Sequence, residues 1–131
     1  MLLSSLLNIE KILKEKNEII FEDKTKEFFY KFFKNKKVND IINPYNIISE
    51  EFFSEKEAKI IFNEFVREGY FLTVFNVICP GCREYSMKKY YSIEEIVNEF
   101  ICPKCEESFS DEIESKELIK NIRVLYVVIE E

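Results

Sequence analysis

Histidine is absent from this 131-residue chain, and glycine occurs only twice, at Gly69 and Gly81, with proline three times. Without histidine the chain lacks the commonest general base, the commonest activator of a nucleophile and every mixed histidine and cysteine metal site. Most hydrolytic mechanisms are thereby disfavoured. Two isolated glycines cannot build a glycine-rich phosphate loop, which counts against nucleotide-binding enzymes, and with three prolines they leave no room for a long flexible linker. Long apolar runs are missing too. The longest, Val124 to Ile129, is far too short to cross a bilayer. The leucine-rich start lacks a basic leader region and a small-residue cleavage site, so the expected compartment is the cytoplasm.

What the chain does contain is 47% apolar residues, with thirteen phenylalanines and seven tyrosines, enough to bury a core in one ordinary domain or two small ones. All four cysteines fall in two short pairs, Cys79-Pro80-Gly81-Cys82 and Cys102-Pro103-Lys104-Cys105, separated by nineteen residues. Each pair brings two thiolates to one side of a tight turn, and two such turns facing each other complete a tetrahedral sulfur cage. In a reducing compartment this pattern reads as metal binding before disulfides. One structural Zn2+ held by Cys79, Cys82, Cys102 and Cys105 is expected. A four-thiolate iron centre uses similar turns and is not distinguished by spacing. Thioredoxin-like chemistry would need one pair at a strand-to-helix junction of a βαβ unit, which the flanking segments do not offer. Four protein ligands leave no open position for substrate, so the site is structural and the chain is read as a non-enzyme. Carboxylate pairs such as Glu94/Glu95 and Asp111/Glu112 are read as solvated faces in a chain that is 34% charged.

Leu2, Leu3, Leu6, Leu7, Ile9, Ile12 and Leu13 recur at helical spacing and predict an amphipathic helix over the first sixteen residues. A second helix is expected from about Thr25 to Asn35, with Ile19 to Phe21 extended between them. Val38 opens a helical or turn segment that Pro44 ends, and Tyr45 to Phe53 can add one or two turns. Ser54 with Glu57 forms a capping box for a helix over 54–68 that ends at Gly69. Phe71 to Ile78 and Ile122 to Ile129 read as strands that pair antiparallel, returning the C-terminus to the helical half. Ser86 to Tyr91 is read as a further strand. Ser92 with Glu95 caps a short helix through Glu99, and Asp111 to Asn121 is read as a polar connection with at most one helical turn. The fold class is therefore α+β, with a helical domain over 1–70 and a four-cysteine zinc-ribbon domain with antiparallel strands over 71–131.

Charge is unevenly placed: residues 1–48 carry net +2, 49–78 net −3 and 79–131 net −5, for −6 in all. Between Lys24 and Lys37, six lysines and one glutamate surround five aromatic residues. The plain reading is a helix with a buried phenylalanine stripe and a solvated lysine face. The functional reading makes Lys24, Lys26, Lys31, Lys34, Lys36 and Lys37 contacts for nucleic-acid phosphate or anionic lipid. The opposite charges of the two ends also permit a homo-oligomer that weakens as salt rises.

Short helices ending in the well-capped one, then a strand feeding paired Cys-x-x-Cys turns, resemble a winged-helix domain joined to a zinc ribbon. The order is similar to that of the general transcription factor E alpha family. The run Glu68-Gly69-Tyr70, Val77-Ile78-Cys79-Pro80-Gly81-Cys82, Ile101-Cys102-Pro103-Lys104-Cys105 and Ile122-Arg123-Val124-Leu125-Tyr126 is similar to small bacterial winged-helix and zinc-ribbon proteins, some of which accompany phage-defence systems. That resemblance implies an accessory or adaptor role with a protein partner; the alternative is a nucleic-acid-binding transcriptional regulator. Two departures stand out. Arg83 and Glu106 occupy the position after each second cysteine where many such turns carry glycine. The helix at 54–68, the base reader of a winged helix, carries Glu55, Glu57, Glu64 and Glu68 against Lys56, Lys59 and Arg67.

Overall fold

A computed structural model describes residues 1–86, 88–109 and 111–131. It is an α+β protein. In chain order the elements are α1 (Leu3–Glu15), α2 (Asp23–Phe33), β1 (Ile41–Ile42), a 3-10 turn (Pro44–Ile47), α3 (Glu55–Arg67), β2 (Phe71–Val77), α4 (Ile93–Glu99), α5 (Glu112–Lys120) and β3 (Ile122–Val128). The three strands form one antiparallel sheet in the order β1-β3-β2. The chain divides into two compact units, Met1–Leu72 with Tyr126–Glu131, and Thr73–Leu125. The last six residues thus belong with the helical half, whereas the sequence places them with the cysteines.

In the first unit, α3 forms where local signals are strongest. The Ser54 hydroxyl accepts from the Glu57 N–H at 3.1 Å, and the Glu57 carboxylate accepts from the Ser54 N–H at 3.0 Å. At the other end the Gly69 N–H reaches the Val66 carbonyl and the Tyr70 N–H reaches that of Phe65, at 3.1 and 2.9 Å. This double bond pattern needs a left-handed residue, and Gly69 has φ +84°. The buried face of α3 (Ala58, Ile61, Phe62 and Phe65) meets Leu6, Ile9 and Leu13 of α1 and Phe29 and Phe33 of α2 in one core. Phe65 stacks on Phe71 with ring centres 4.4 Å apart, and Phe62 stacks on Tyr126 at 4.5 Å. Aromatic pairs of this kind add roughly 0.5–1.5 kcal/mol each beyond burial.

Two sequence expectations fail in informative ways. The segment after Val38, read as helix or turn, contains β1: Ile41 pairs with Val127 and Ile42 with Tyr126. Two residues are too few to show a period, and their partner lies more than eighty positions away. Asp111 to Asn121, read as a polar connection, is the nine-residue helix α5, begun by the Asp111 side chain accepting from the Glu114 N–H at 2.7 Å. Only Leu118 of α5 is fully buried, so no apolar stripe announces it. The expected strand Ser86 to Tyr91 includes Met87, which lies outside the described residues; within the segment Tyr90 bridges to Phe75, and just before it Tyr85 bridges to Ile78.

Two carboxylates are buried among the helices of the first unit. Glu10 of α1, 3% exposed, accepts a short hydrogen bond from the Tyr30 hydroxyl and pairs with Lys14 at 2.9 Å and Lys26 at 3.3 Å. Burial pushes the Glu10 carboxyl up, but Lys14, Tyr30 and Lys26 together outweigh it and hold the group below its ordinary value. Glu64 of α3 pairs with Lys16 at 2.6 Å and Arg67 at 3.8 Å. Because the folded Glu10 is the stronger acid, its stabilisation is complete above the ordinary value of 4.5 and disappears as pH falls through the folded value. Glu10→Gln is therefore expected to lower stability by about 1–2 kcal/mol at neutral pH. Urea unfolding should show the gap between variant and parent closing in acid, and a gap that stays constant with pH would refute the assignment.

Candidate metal centre

The two cysteine turns have the same local build. At the first, Ile78 bridges to Tyr85, the Cys79 N–H bonds the Glu84 carbonyl at 2.9 Å, and the Arg83 N–H bonds the Cys79 carbonyl at 2.8 Å. At the second, Ile101 bridges to Ser108, the Cys102 N–H bonds the Glu107 carbonyl at 3.1 Å, and the Glu106 N–H bonds the Cys102 carbonyl at 2.9 Å. Arg83 and Glu106, the positions where the sequence departs from glycine, both sit in left-handed backbone at φ +60°. A side chain held there costs on the order of 1 kcal/mol. The closed turns overcome that cost because their hydrogen bonds demand the conformation.

The four Sγ atoms lie within 4.8 Å of one another, and all four cysteines are free of disulfides. Cys79 Sγ is 3.6 Å from Cys105 Sγ, and Cys82 Sγ is 3.6 Å from Cys102 Sγ. A disulfide would require about 2.05 Å. A tetrahedron with metal-to-sulfur bonds of about 2.3 Å has sulfur-to-sulfur edges of about 3.8 Å, so the spacing fits four ligands around one ion. Cys79 and Cys102 are buried and Cys82 and Cys105 half-buried. The donor set therefore fits a metal, and it supplies four positions from protein alone.

Backbone N–H groups turned toward sulfur are the outer layer of this site. The Cys105 N–H lies 3.5 Å from Cys102 Sγ. That contact comes first in drawing the Cys102 thiol down to about 6, against burial and with help from the Lys104 N–H and neighbouring thiols. At Cys105 the Glu107 N–H favours the thiolate, but burial and the sulfurs of Cys102, Cys79 and Cys82 prevail and push it up to about 12. Negative sulfurs this close repel one another. A divalent cation removes that repulsion.

Around the sulfurs, Val77, Tyr90, Ile96, Phe100, Phe109 and Leu118 form a small buried cluster with Cys79 and Cys102. Ser92 begins α4 by accepting from the Glu95 N–H at 3.1 Å, while the Glu95 carboxylate accepts from the Tyr91 N–H instead of the Ser92 N–H. Lys104 of the second turn reaches Glu84 of the first at 3.0 Å, an ion pair joining the turns that no local pattern signals.

The six lysines of the sequence reading have different surroundings. Lys24 and Lys31 line a shallow cleft of about 260 Å³ with Glu27, Phe28, Glu51 and Phe52. Lys26 is engaged by Glu10, and the Lys36 ammonium lies 4.6 Å from the centre of the Phe32 ring. Lys34 and Lys37 are exposed. Residues that the sequence did not single out, Asn76, Tyr85 and Arg123, are instead brought together beside the first cysteine turn.

Two outcomes test this site. Glu106→Gly relieves the left-handed side chain and is expected to raise the unfolding free energy of the metal-loaded protein by up to about 1 kcal/mol; an unchanged or lower value refutes the strain. Removal of metal by a chelator, or Cys102→Ser, should unfold residues 73–125, since metal binding supplies on the order of 10 kcal/mol to domains of this size. Amide exchange should then show protection lost around Phe100 and Phe109 and retained around Phe33 and Phe62. Comparison with protein-family models, curated proteins and solved structures finds no match to this chain.

Proposed function

We propose that this chain is a non-catalytic adaptor in which a winged-helix-like helical half carries a zinc ribbon, with one structural Zn2+ held by Cys79, Cys82, Cys102 and Cys105, and that it works by binding a protein partner. The observation that carries this reading is the closed sulfur set: four thiols at tetrahedral spacing leave no metal position for substrate or activated water. Absence of histidine from the sequence points the same way. Zinc is preferred over iron because a four-thiolate site built only to organise a fold needs no redox chemistry.

The winged-helix reading is supported by order. A helix, a short strand, a one-turn helix, the well-capped α3 and β2 succeed one another, and β3, which follows α4 and α5, lies between β1 and β2 in the sheet. The cysteine unit occupies the sequence between β2 and β3, where a winged helix has its wing. Glu64 is taken out of the count of α3 surface charges by its burial with Lys16. What remains, Glu55, Glu57 and Glu68 with Lys56, Lys59 and Arg67, is near balance. A helix that reads bases is normally basic, so this face suits protein better than phosphate. Nucleic-acid regulation through Lys24 to Lys37 is the weaker reading, since Lys26 and Lys36 are already engaged.

Elemental analysis of purified protein should return one zinc per chain. Affinity capture of the tagged protein expressed together with the products of adjacent genes should retain one of them at fixed stoichiometry, and Cys102→Ser should abolish retention. A protein that stays solitary under these conditions, or that binds equally well without metal, would overturn the adaptor reading.

A further inference from the structure

Within residues 73–125 the charges are segregated. The span 93–117 holds nine acids and two lysines, whereas 73–92 holds Arg83, Lys88 and Lys89 against the single acid Glu84. Glu84 is neutralised by Lys104 at 3.0 Å. Arg123 of β3 adds a further cation to the same side. Its Nη2 donates to Asn76 Oδ1 at 3.2 Å, and the Asn76 amide in turn donates to the Ser86 carbonyl. Asn76 is 7% exposed and Ser86 3%, so Arg123 is held by a buried polar relay.

Side chains alternate across a strand. Asn76 and Ile78 therefore share a face, and Tyr85, bridged to Ile78, joins them. Phe75 and Val77 turn to the opposite side, where they pack with Tyr90 in the buried cluster. At the edge of the Asn76 and Ile78 face the Arg123 guanidinium carbon lies 4.5 Å from the centre of the Tyr85 ring, which is 49% exposed. Arg83 joins this side by donating to Asn121 Oδ1 at 3.4 Å, and Asn121 stands two positions before Arg123. An arginine that serves only packing spends its donors internally. Among the described residues Arg123 spends one, from Nη2 to Asn76. Planar guanidinium groups with unspent donors receive phosphate in a fixed orientation, and an exposed ring beside them offers a stacking surface to any base.

We propose that this face binds single-stranded nucleic acid, with Arg123 and Arg83 on phosphates and Tyr85 against a base. Free acidic peptide would match the cations but leave the ring unused. The inference goes beyond the adaptor reading and stands or falls separately from it, because its test requires no protein partner.

The test is fluorescence anisotropy of a labelled short oligothymidylate with the zinc-loaded full chain. Two arginine contacts predict a slope of log K against log salt of about −1.4, that is, about a sevenfold loss between about 50 and 200 mM salt. Arg123→Gln and Arg83→Ala should each flatten the slope by about 0.7. Tyr85→Ala should weaken binding about fivefold or more without changing the slope, and Lys116→Ala on α5 should change nothing. Arg83 is exposed, so its variant remains informative if Arg123→Gln disturbs the fold; zinc content verifies each protein. Absence of binding at low salt overturns the proposal. So does binding insensitive to Arg83→Ala but lost in Lys24→Ala/Lys31→Ala, or displacement by polyglutamate as effective as by unlabelled oligothymidylate.

Discussion

Repulsion among four thiolates held within 4.8 Å of one another is the constraint on which the cysteine unit rests. Backbone N–H groups aimed at sulfur lower the cost for the first thiolate but cannot do so for all four, and no lysine or arginine is paired with the sulfurs among the described residues. A divalent cation at the centre would remove the repulsion from all four at once. The unit spans just Thr73–Leu125, and among the described residues two of the eight in its buried cluster are cysteines of the sulfur set. A core that small buries too little apolar surface to offset chain entropy, and an ion held by the four sulfurs would supply what the side chains lack. The same dependence explains the tolerance of left-handed Arg83 and Glu106: about 1 kcal/mol of backbone strain at each turn is minor beside the energy of metal binding.

The helical unit rests on different physics. Its core is continuous and aromatic, and the buried carboxylates tie one helix to another within it. Glu10 links α1 to α2 through Tyr30 and Lys26, and Glu64 links α3 to α1 through Lys16. Phenylalanine stripes permit several rotations of one helix against its neighbour, because apolar contact is non-directional. A buried carboxylate permits few, since a wrong rotation leaves it unpaired at a cost of several kcal/mol. Glu64 shows why counting charges along a helix misleads: in the sequence it adds to an acidic face, and in the fold it has left the surface.

Legibility in the sequence depends on how locally each feature is specified. The capping box at Ser54 and the left-handed stop at Gly69 act within a few residues, and α3 is readable to within one position at each end. The four cysteines are equally plain, since ligand chemistry and spacing are both written in nearby residues. The strand β1 is not, because Ile41 and Ile42 are strand only by virtue of Tyr126 and Val127. For α5 the obstacle is different: its cap is visible at Asp111, but a helix with one buried side chain lacks the stripe that normally identifies it. Strand-forming residues at the C-terminus imply its return to the helical half, yet a division drawn by sequence order alone cannot assign Tyr126–Glu131 to the first unit.

Arg123 marks a further limit of local reading. In the sequence it is one cation in an acidic second half, between strand residues, with nothing to mark it. Pairing of β2 with β3 places it beside Asn76, and the first cysteine turn sets Tyr85 under its guanidinium. Since Tyr85 is held by its bridge to Ile78, one residue before Cys79, the stacking partner of Arg123 depends on the same turn that presents sulfur to the metal. Loss of an ion held by the four sulfurs would therefore disturb Tyr85 together with them. The sulfur set and the Arg123–Tyr85 contact are thus built on the same turn.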